Sequence, residues 1–229
     1  NLVVIQKDLG KLEEAEVSAH RTVELKPNLF NAHFLLASIL IKRKKLEEAE
    51  SSLLRTIELK PDFVKAHLNL VVIQKDLEKL EEAELTARAV LKLKPDFAEG
   101  YSDLGTILRS LGKLQEAEIS IRKAIQLKPN FAKGHYNLGN TLKERGHLSS
   151  AIKSFKKALE IQPNYPNARF NLSVSELLSG DYDSGWKNYE WRWKKEPAIK
   201  PYAQTQLQKW EGEMLKSGDK LLVISEQGL

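Results

Sequence analysis

The sequence contains no cysteine. That excludes disulfides, thiolate zinc sites, iron–sulfur clusters and cysteine nucleophiles together. Long apolar runs are missing as well. The longest, Phe34 to Ile41, is broken by Ser38 and stops far short of the roughly 20 residues a membrane helix needs. Residues 1–6 have neither the basic start nor the apolar stretch of a secretion signal. These absences suit a cytoplasmic protein. The single methionine is Met214, so Asn1 reads as an internal point of a longer chain. Disorder is also excluded: over 229 residues, 41% apolar content against 29% charged is a folding composition.

What the sequence does have is a period. Of eight prolines, six stand at 27, 61, 95, 129, 163 and 197, each 34 residues from the last. Leu-Lys-Pro ends at four of them, and Ile-Gln-Pro ends at Pro163. Small residues recur at Ala15, Ala49, Ala83, Ala117, Ala151 and Gly185, and leucine at 2, 36, 70, 104, 138 and 172. Each period reads as two amphipathic helices. Tyr101, Leu104, Gly105 and Leu108 mark the inner face of a first helix. A turn at Leu111-Gly112-Lys113 leads to a second, carrying Leu114, Ala117, Ile121, Ala124 and Ile125, which Pro129 ends. Glutamates at the start of second helices (Glu47, Glu48, Glu81, Glu82) and lysines at their ends (Lys60, Lys94, Lys128) suit the helix dipole. Asn28, Asp62, Asp96, Asn130 and Asn164 are expected to cap the following helix.

Tyr101-x2-Leu104-Gly105-x2-Leu108, then Ala117-x3-Ile121 and Pro129, resembles the tetratricopeptide (TPR) repeat. The resemblance covers residues 1–197 and implies an all-α, right-handed superhelix. It consists of a partial repeat at 1–29 and repeats starting near 30, 64, 98, 132 and 166. Departures fall at the inner glycine (Val3, Ala37, Val71, Ser173) and at the turn glycine (Lys44, Glu78), where stacking is expected to be less ideal.

The last repeat concentrates aromatics in Gly185-Trp-Lys-Asn-Tyr-Glu-Trp-Arg-Trp193. Trp186, Tyr189 and Trp193, spaced i, i+3, i+7, are expected to share a face, with Trp191 beside them. That face reads either as an end-cap or as a docking surface. After Ala198 the period is lost, and 198–229 reads as a linker and the start of a truncated following domain. The run Gly185-Trp186, Tyr189 to Trp193, Trp210, Gly212, Leu221 to Val223 and Glu226 to Leu229 resembles the junction to a glycosyltransferase-like domain in bacterial TPR proteins. That resemblance implies a substrate-recognition arm cut before its catalytic domain.

The sequence offers no catalytic residues. His33, His67 and His135 share the repeat column of Tyr101, so they read as packing residues rather than metal ligands. Serines lie on helical faces, and carboxylates recur with the period. No phosphate loop or cofactor motif occurs. The net charge of +5 is dispersed through interleaved charges, and the one basic run, Lys42 to Lys45, reads as a solvated turn. Nucleic acid and membrane are therefore not expected partners.

The groove remains. In the TPR family the first helix of each repeat lines the concave face. Its sixth column here reads Asn1, Leu35, Asn69, Asp103, Asn137, Asn171. Side-chain amides can hydrogen-bond an extended backbone whatever its sequence. A similar asparagine ladder grips substrates in TPR-bearing O-GlcNAc transferases. The column before it, holding Phe34, Leu68, Ser102, Tyr136 and Phe170, supplies apolar anchors and rules out the lysine-based carboxylate clamp of chaperone-binding relatives. The expected function is protein or peptide recognition in this groove, with self-association through the solenoid ends as a further route.

Overall fold

A computed structural model describes Val3 and residues 10–194. Eleven α-helices follow one another in pairs. They are α1 Leu12–Leu25, α2 Phe30–Lys42, α3 Leu46–Leu59, α4 Val64–Asp76, α5 Leu80–Leu93, α6 Ala98–Ser110, α7 Leu114–Leu127, α8 Ala132–Glu144, α9 Leu148–Ile161, α10 Pro166–Leu178 and α11 Tyr182–Tyr189. A 3₁₀ turn, Glu190–Trp193, closes the described part. There is no strand among the described residues. Each helix packs on the one before and the one after, and even-numbered helices of adjacent repeats touch only lightly. The fold is an all-α solenoid whose core is a stripe, as expected where each repeat meets only its neighbours.

That stripe is sorted by the repeat columns. Ala15, Ala49, Ala83, Ala117 and Ala151 are fully buried, because the two helices of a pair approach most closely there. The inner-glycine column meets the fourth residue after each alanine, and the two columns compensate in size. A Cβ on Gly105 would lie 2.3 Å from Ile121, and one on Gly139 2.5 Å from the Phe155 ring. Ala37 shares its core cluster with Leu53, and Val71 with Ala87. The Val71 repeat thus fills the space by shrinking the partner to Ala87, whereas the smaller Ala37 leaves room for Leu53.

The turn column behaves differently. Gly10, Gly112, Gly146 and Gly180 all have positive φ, and Lys44 and Glu78 follow the same path at φ 60° and 59°. A side chain in left-handed backbone costs roughly 1 kcal/mol. Here the fold overrides local preference.

The expected asparagine and aspartate caps are absent. The residues entering α2, α4, α6, α8 and α10 are Leu29, Phe63, Phe97, Phe131 and Tyr165, and none makes a side-chain capping bond. In the first three, Pro and Asn/Asp form a tight turn one residue earlier, closed by Leu29 N to Lys26 O (3.1 Å), Phe63 N to Lys60 O (3.1 Å) and Phe97 N to Lys94 O (3.3 Å). The cap site instead goes to an apolar side chain. Phe63, for instance, meets the rings of Phe30 and Phe34 edge-on at 5.3 and 4.9 Å. Full burial of such a ring is worth about 1.5–3 kcal/mol, so even a half-buried Phe63 rivals the ~1 kcal/mol of a polar cap. Only α11 has a side-chain cap, where Asp181 accepts from the Ser184 N–H.

The column histidines tie these corners together. Nε2 of His33, His67 and His135 donates to the carbonyls of Pro27, Pro61 and Pro129 at 2.8, 2.8 and 3.0 Å. Arg169 does the same for Pro163 at 3.4 Å. These side chains satisfy a carbonyl left over by the turn, a role beyond packing.

Candidate functional site

The sixth column does not form a uniform ladder. Asn137 is buried and donates to the Ser102 hydroxyl at 3.0 Å. Asn171 donates to Asn140 Oδ1 at 2.7 Å and to the Tyr136 hydroxyl at 3.3 Å. Lys133 donates to Asp103 at 3.0 Å. These three side chains knit adjacent repeats together, so their hydrogen-bonding capacity is partly spent inside the chain. Asn69 differs: its amide has no hydrogen bond among the described residues. Leu35 is packed against the first core cluster, and Asn1 lies outside the described residues.

The apolar column divides in the same way. Phe34 packs on Phe63, Tyr136 on Phe155 (6.1 Å) and Tyr165 (5.0 Å), and Phe170 on Tyr189 (5.6 Å). Burial, with Tyr136 nearby, pushes the Tyr165 hydroxyl up to about 12. Leu68 lines open space. It forms one wall of a cavity of about 250 Å³ shared with Asn69, Val71, Val72, Lys75, Ala87, Val90, Gly100 and Asp103. The cavity lies between α4 and α6 with α5 as its floor, so the structure brings together Leu68, Asn69 and Asp103 and leaves Phe34, Tyr136 and Phe170 in contacts of their own. Val72 and Lys75 escaped the column reading. The sequence gives no signal for Val72, whose column holds Val4 and Val174 beside Ser38, Thr106 and Asn140; only the fold shows that it is 56% exposed.

On another side of the stack, glutamates link each repeat to the next. Glu16 meets Arg43 and Lys45, Glu50 meets Lys79, and Glu84 meets Lys113. Glu118 pairs with Arg145. Hydrogen bonds from Lys113 hold the Glu84 carboxyl below its usual range. In Glu16 and Glu118 burial pushes upward, and the paired cations outweigh it. The basic run at 42–45 is therefore not a free solvated turn: Arg43 and Lys45 are the cations that close this bridge. Glu16, His20 and Glu48 come close enough to hold an ion, but Glu16 already serves two cations and the other two are exposed. The cluster reads as part of the ion-pair row.

At the far end the aromatic face is rearranged. The α-helix stops at Tyr189, so Trp193 is not on a continuous helical face with Trp186. Trp186 meets Tyr189 at 5.5 Å, Arg192 stacks on Tyr189 (4.9 Å) and Trp193 (4.2 Å), and Arg169 and Lys194 flank Trp191. Arg192 stands in the column of Ala158, where its bulk does not fit a close helix pair. Tyr182 and Trp186 stay exposed, although earlier repeats half-bury the column of the first (Leu46, Leu80, Leu114, Leu148) and cover that of the second (Glu16, Glu50, Glu84).

Tetratricopeptide repeat models match residues 30–63, 64–97 and 132–165, and a further TPR model matches 105–146. The chain belongs to the tetratricopeptide repeat family. TPR structures of known fold superpose over most of it. One is YrrB, described as a TPR protein with an unusual peptide-binding site (TM-score 0.61, 19% identity, 78% of this chain and 92% of that one). Another is PilF of Pseudomonas aeruginosa (0.68, 15%, 86% and 90%). A third is MamA from Desulfovibrio magneticus RS-1 (0.67, 17%, 73% and 95%). These likenesses establish the right-handed TPR superhelix. No curated protein sequence matches the chain. Among the described residues no helix is long and apolar enough to cross a membrane.

Proposed function

We propose that this TPR array is a recognition scaffold that holds an extended protein segment along the surface built by α2, α4, α6, α8 and α10. The observation that carries the reading is the cavity between α4 and α6, with an uncommitted amide at Asn69 and an exposed apolar wall at Val72. Concave, mostly apolar pockets with a few convergent polar groups are where ligands bind. The description of YrrB as a peptide binder, at the same fold, supports it. The polar rungs at Asp103, Asn137 and Asn171 act mainly by fixing the relative placement of the repeats, which keeps the groove in shape.

Peptides selected from a random display library against the 229-residue chain test this. Their binding is expected to slow amide exchange in α4 and α6 first, with the odd-numbered helices little changed. Protection confined to α3, α5 and α7, or a selection that enriches nothing, would remove the groove reading.

A second reading, that the chain is the substrate-recognition arm of a longer glycosyltransferase, draws on the exposed Tyr182 and Trp186 at the end of the stack. The other residues carrying that likeness, from Trp210 onward, lie outside the described residues. The intact mass of the protein made by its native cell decides the point. A mass well above 26.0 kDa with sequence beyond Leu229 supports it, and a mass near that value rejects it.

A further inference from the structure

The cavity between α4 and α6 carries chemical information about what enters it. Its apolar lining is Leu68, Val71, Val72, Ala87 and Val90, with Gly100 at one side. No aromatic ring lines it, so nothing there offers a stacking partner, and selection falls to burial of branched aliphatic surface. Leu68, Asn69, Val72 and Lys75 follow one another at i, i+1, i+4, i+7 along a single face of α4. The same face carries Lys65 three residues before Leu68. Lys65 and Lys75 are ten positions apart, about 15 Å along the helix axis at 1.5 Å per residue.

The charges here are unequal. Asp103, the only acidic group lining the cavity, is neutralised by Lys133 at 3.0 Å. Lys75 lines the cavity with no ion pair among the described residues, and Lys65 has none either. Elsewhere in the stack the lysines that face a neighbouring repeat are paired: Lys45, Lys79, Lys113 and Lys128 each meet a glutamate. The rim thus carries uncompensated positive charge beside an amide with no partner among the described residues and an apolar well.

Resting on the groove reading, we propose that this cavity is the anchor subsite and that its occupant is a large aliphatic side chain of an acidic extended segment. The segment places a carboxylate within one or two residues of the anchor, where Lys75 pairs with it. Asn69 bonds the backbone at the anchor residue. One charge-assisted hydrogen bond at a partly enclosed site is worth roughly tenfold or more in affinity.

The library selection described above, followed by sequencing, tests the assignment. Enriched peptides are expected to share Leu, Ile or Val with Asp or Glu one or two positions away. Lys75→Glu is expected to weaken them about tenfold or more. A fresh selection on that variant should exchange the acidic position for Lys or Arg. Val72→Glu, which puts a charge into the apolar wall, should weaken every enriched peptide. Lys75 and Val72 are both exposed, so these variants are expected to keep wild-type helicity, and Lys75→Gln and Val72→Lys repeat the test should either unfold. If peptides protect α4 and α6 yet lack the aliphatic–acidic pair, or if Lys75→Glu selects unchanged sequences, the anchor assignment is wrong while the groove reading stands. If nothing is enriched, both fail.

Discussion

Replacing Gly139 with valine is expected to lower the unfolding free energy by about 3 kcal/mol, at the upper end for overpacking. A Cβ at that position would sit 2.5–2.8 Å from three atoms of the Phe155 ring. Phe155 is fully buried among Leu138, Leu142, Ala151 and Leu172, so it has nowhere to turn. Phe155→Ala alone should cost about 3–5 kcal/mol through the cavity it leaves. The double variant is expected to cost less than the sum of the two by at least about 1 kcal/mol, because each change relieves the other. Two repeats earlier the same two columns already hold Val71 and Ala87 within one core cluster. Urea unfolding of the four proteins measures the coupling. Strict additivity would mean that the two columns do not share the space assigned to them.

The second large effect runs the other way. Glu176 is 2% exposed, in a column where earlier repeats bury Leu40, Gln74, Leu108 and Leu142. Its partners are modest: Asn188 donates to it at 3.0 Å, and Lys156 approaches to 3.6 Å from a side chain that is 56% exposed. Removing a carboxylate from water is costly, and such a pair rarely recovers the whole of that cost. Glu176→Leu is therefore expected to raise stability by about 2 kcal/mol, within the range found when buried ion pairs are replaced by apolar side chains. Lys156 returns to solvent, and Asn188 sits at a half-buried edge. A higher urea midpoint at unchanged slope is the expected readout. A lower midpoint would show that the carboxylate's hydrogen bond outweighs its burial.

The fold was legible because the 34-residue period repeats both the large and the small residues of the core, and two-helix packing leaves such columns few arrangements. The site was legible only in part. Column counting placed Leu68, Asn69 and Asp103 together, since residues at equal phase face the same way. It could not separate Asn69 from Asn137 and Asn171. Their difference lies in Ser102, Asn140 and Tyr136, which belong to other columns and meet them only when repeats stack. Val72 and Lys75 were missed because neither stands out in its column: Val4 and Val174 share that of Val72, and Lys7, Arg109 and Lys143 that of Lys75. The capping error had a local cause. Asn and Asp next to proline suit a cap and a tight turn equally, and the apolar side chain one residue later, a half-buried ring in four of the five, decides between them. At the aromatic end, Arg192 in the column of Ala158 marks changed packing in the sequence, but the end of the helix at Tyr189 is visible only in the fold.

The core falls into three clusters, from Val3 to Ile73, from Val71 to Ala117 and from Ile121 to Leu172. Because each helix leans mainly on its immediate neighbours, bending one part of the stack does not oblige the rest to follow. The array is accordingly a jointed spring whose joints are single helices shared by two clusters: Val71 and Ile73 both lie on α4, and Ala117 and Ile121 both lie on α7. The glutamate bridges and the polar rungs at Asp103, Asn137 and Asn171 brace neighbouring repeats against flexing. A guest seated between α4 and α6 would act there as a splint, and the curvature of the whole spring would register its presence.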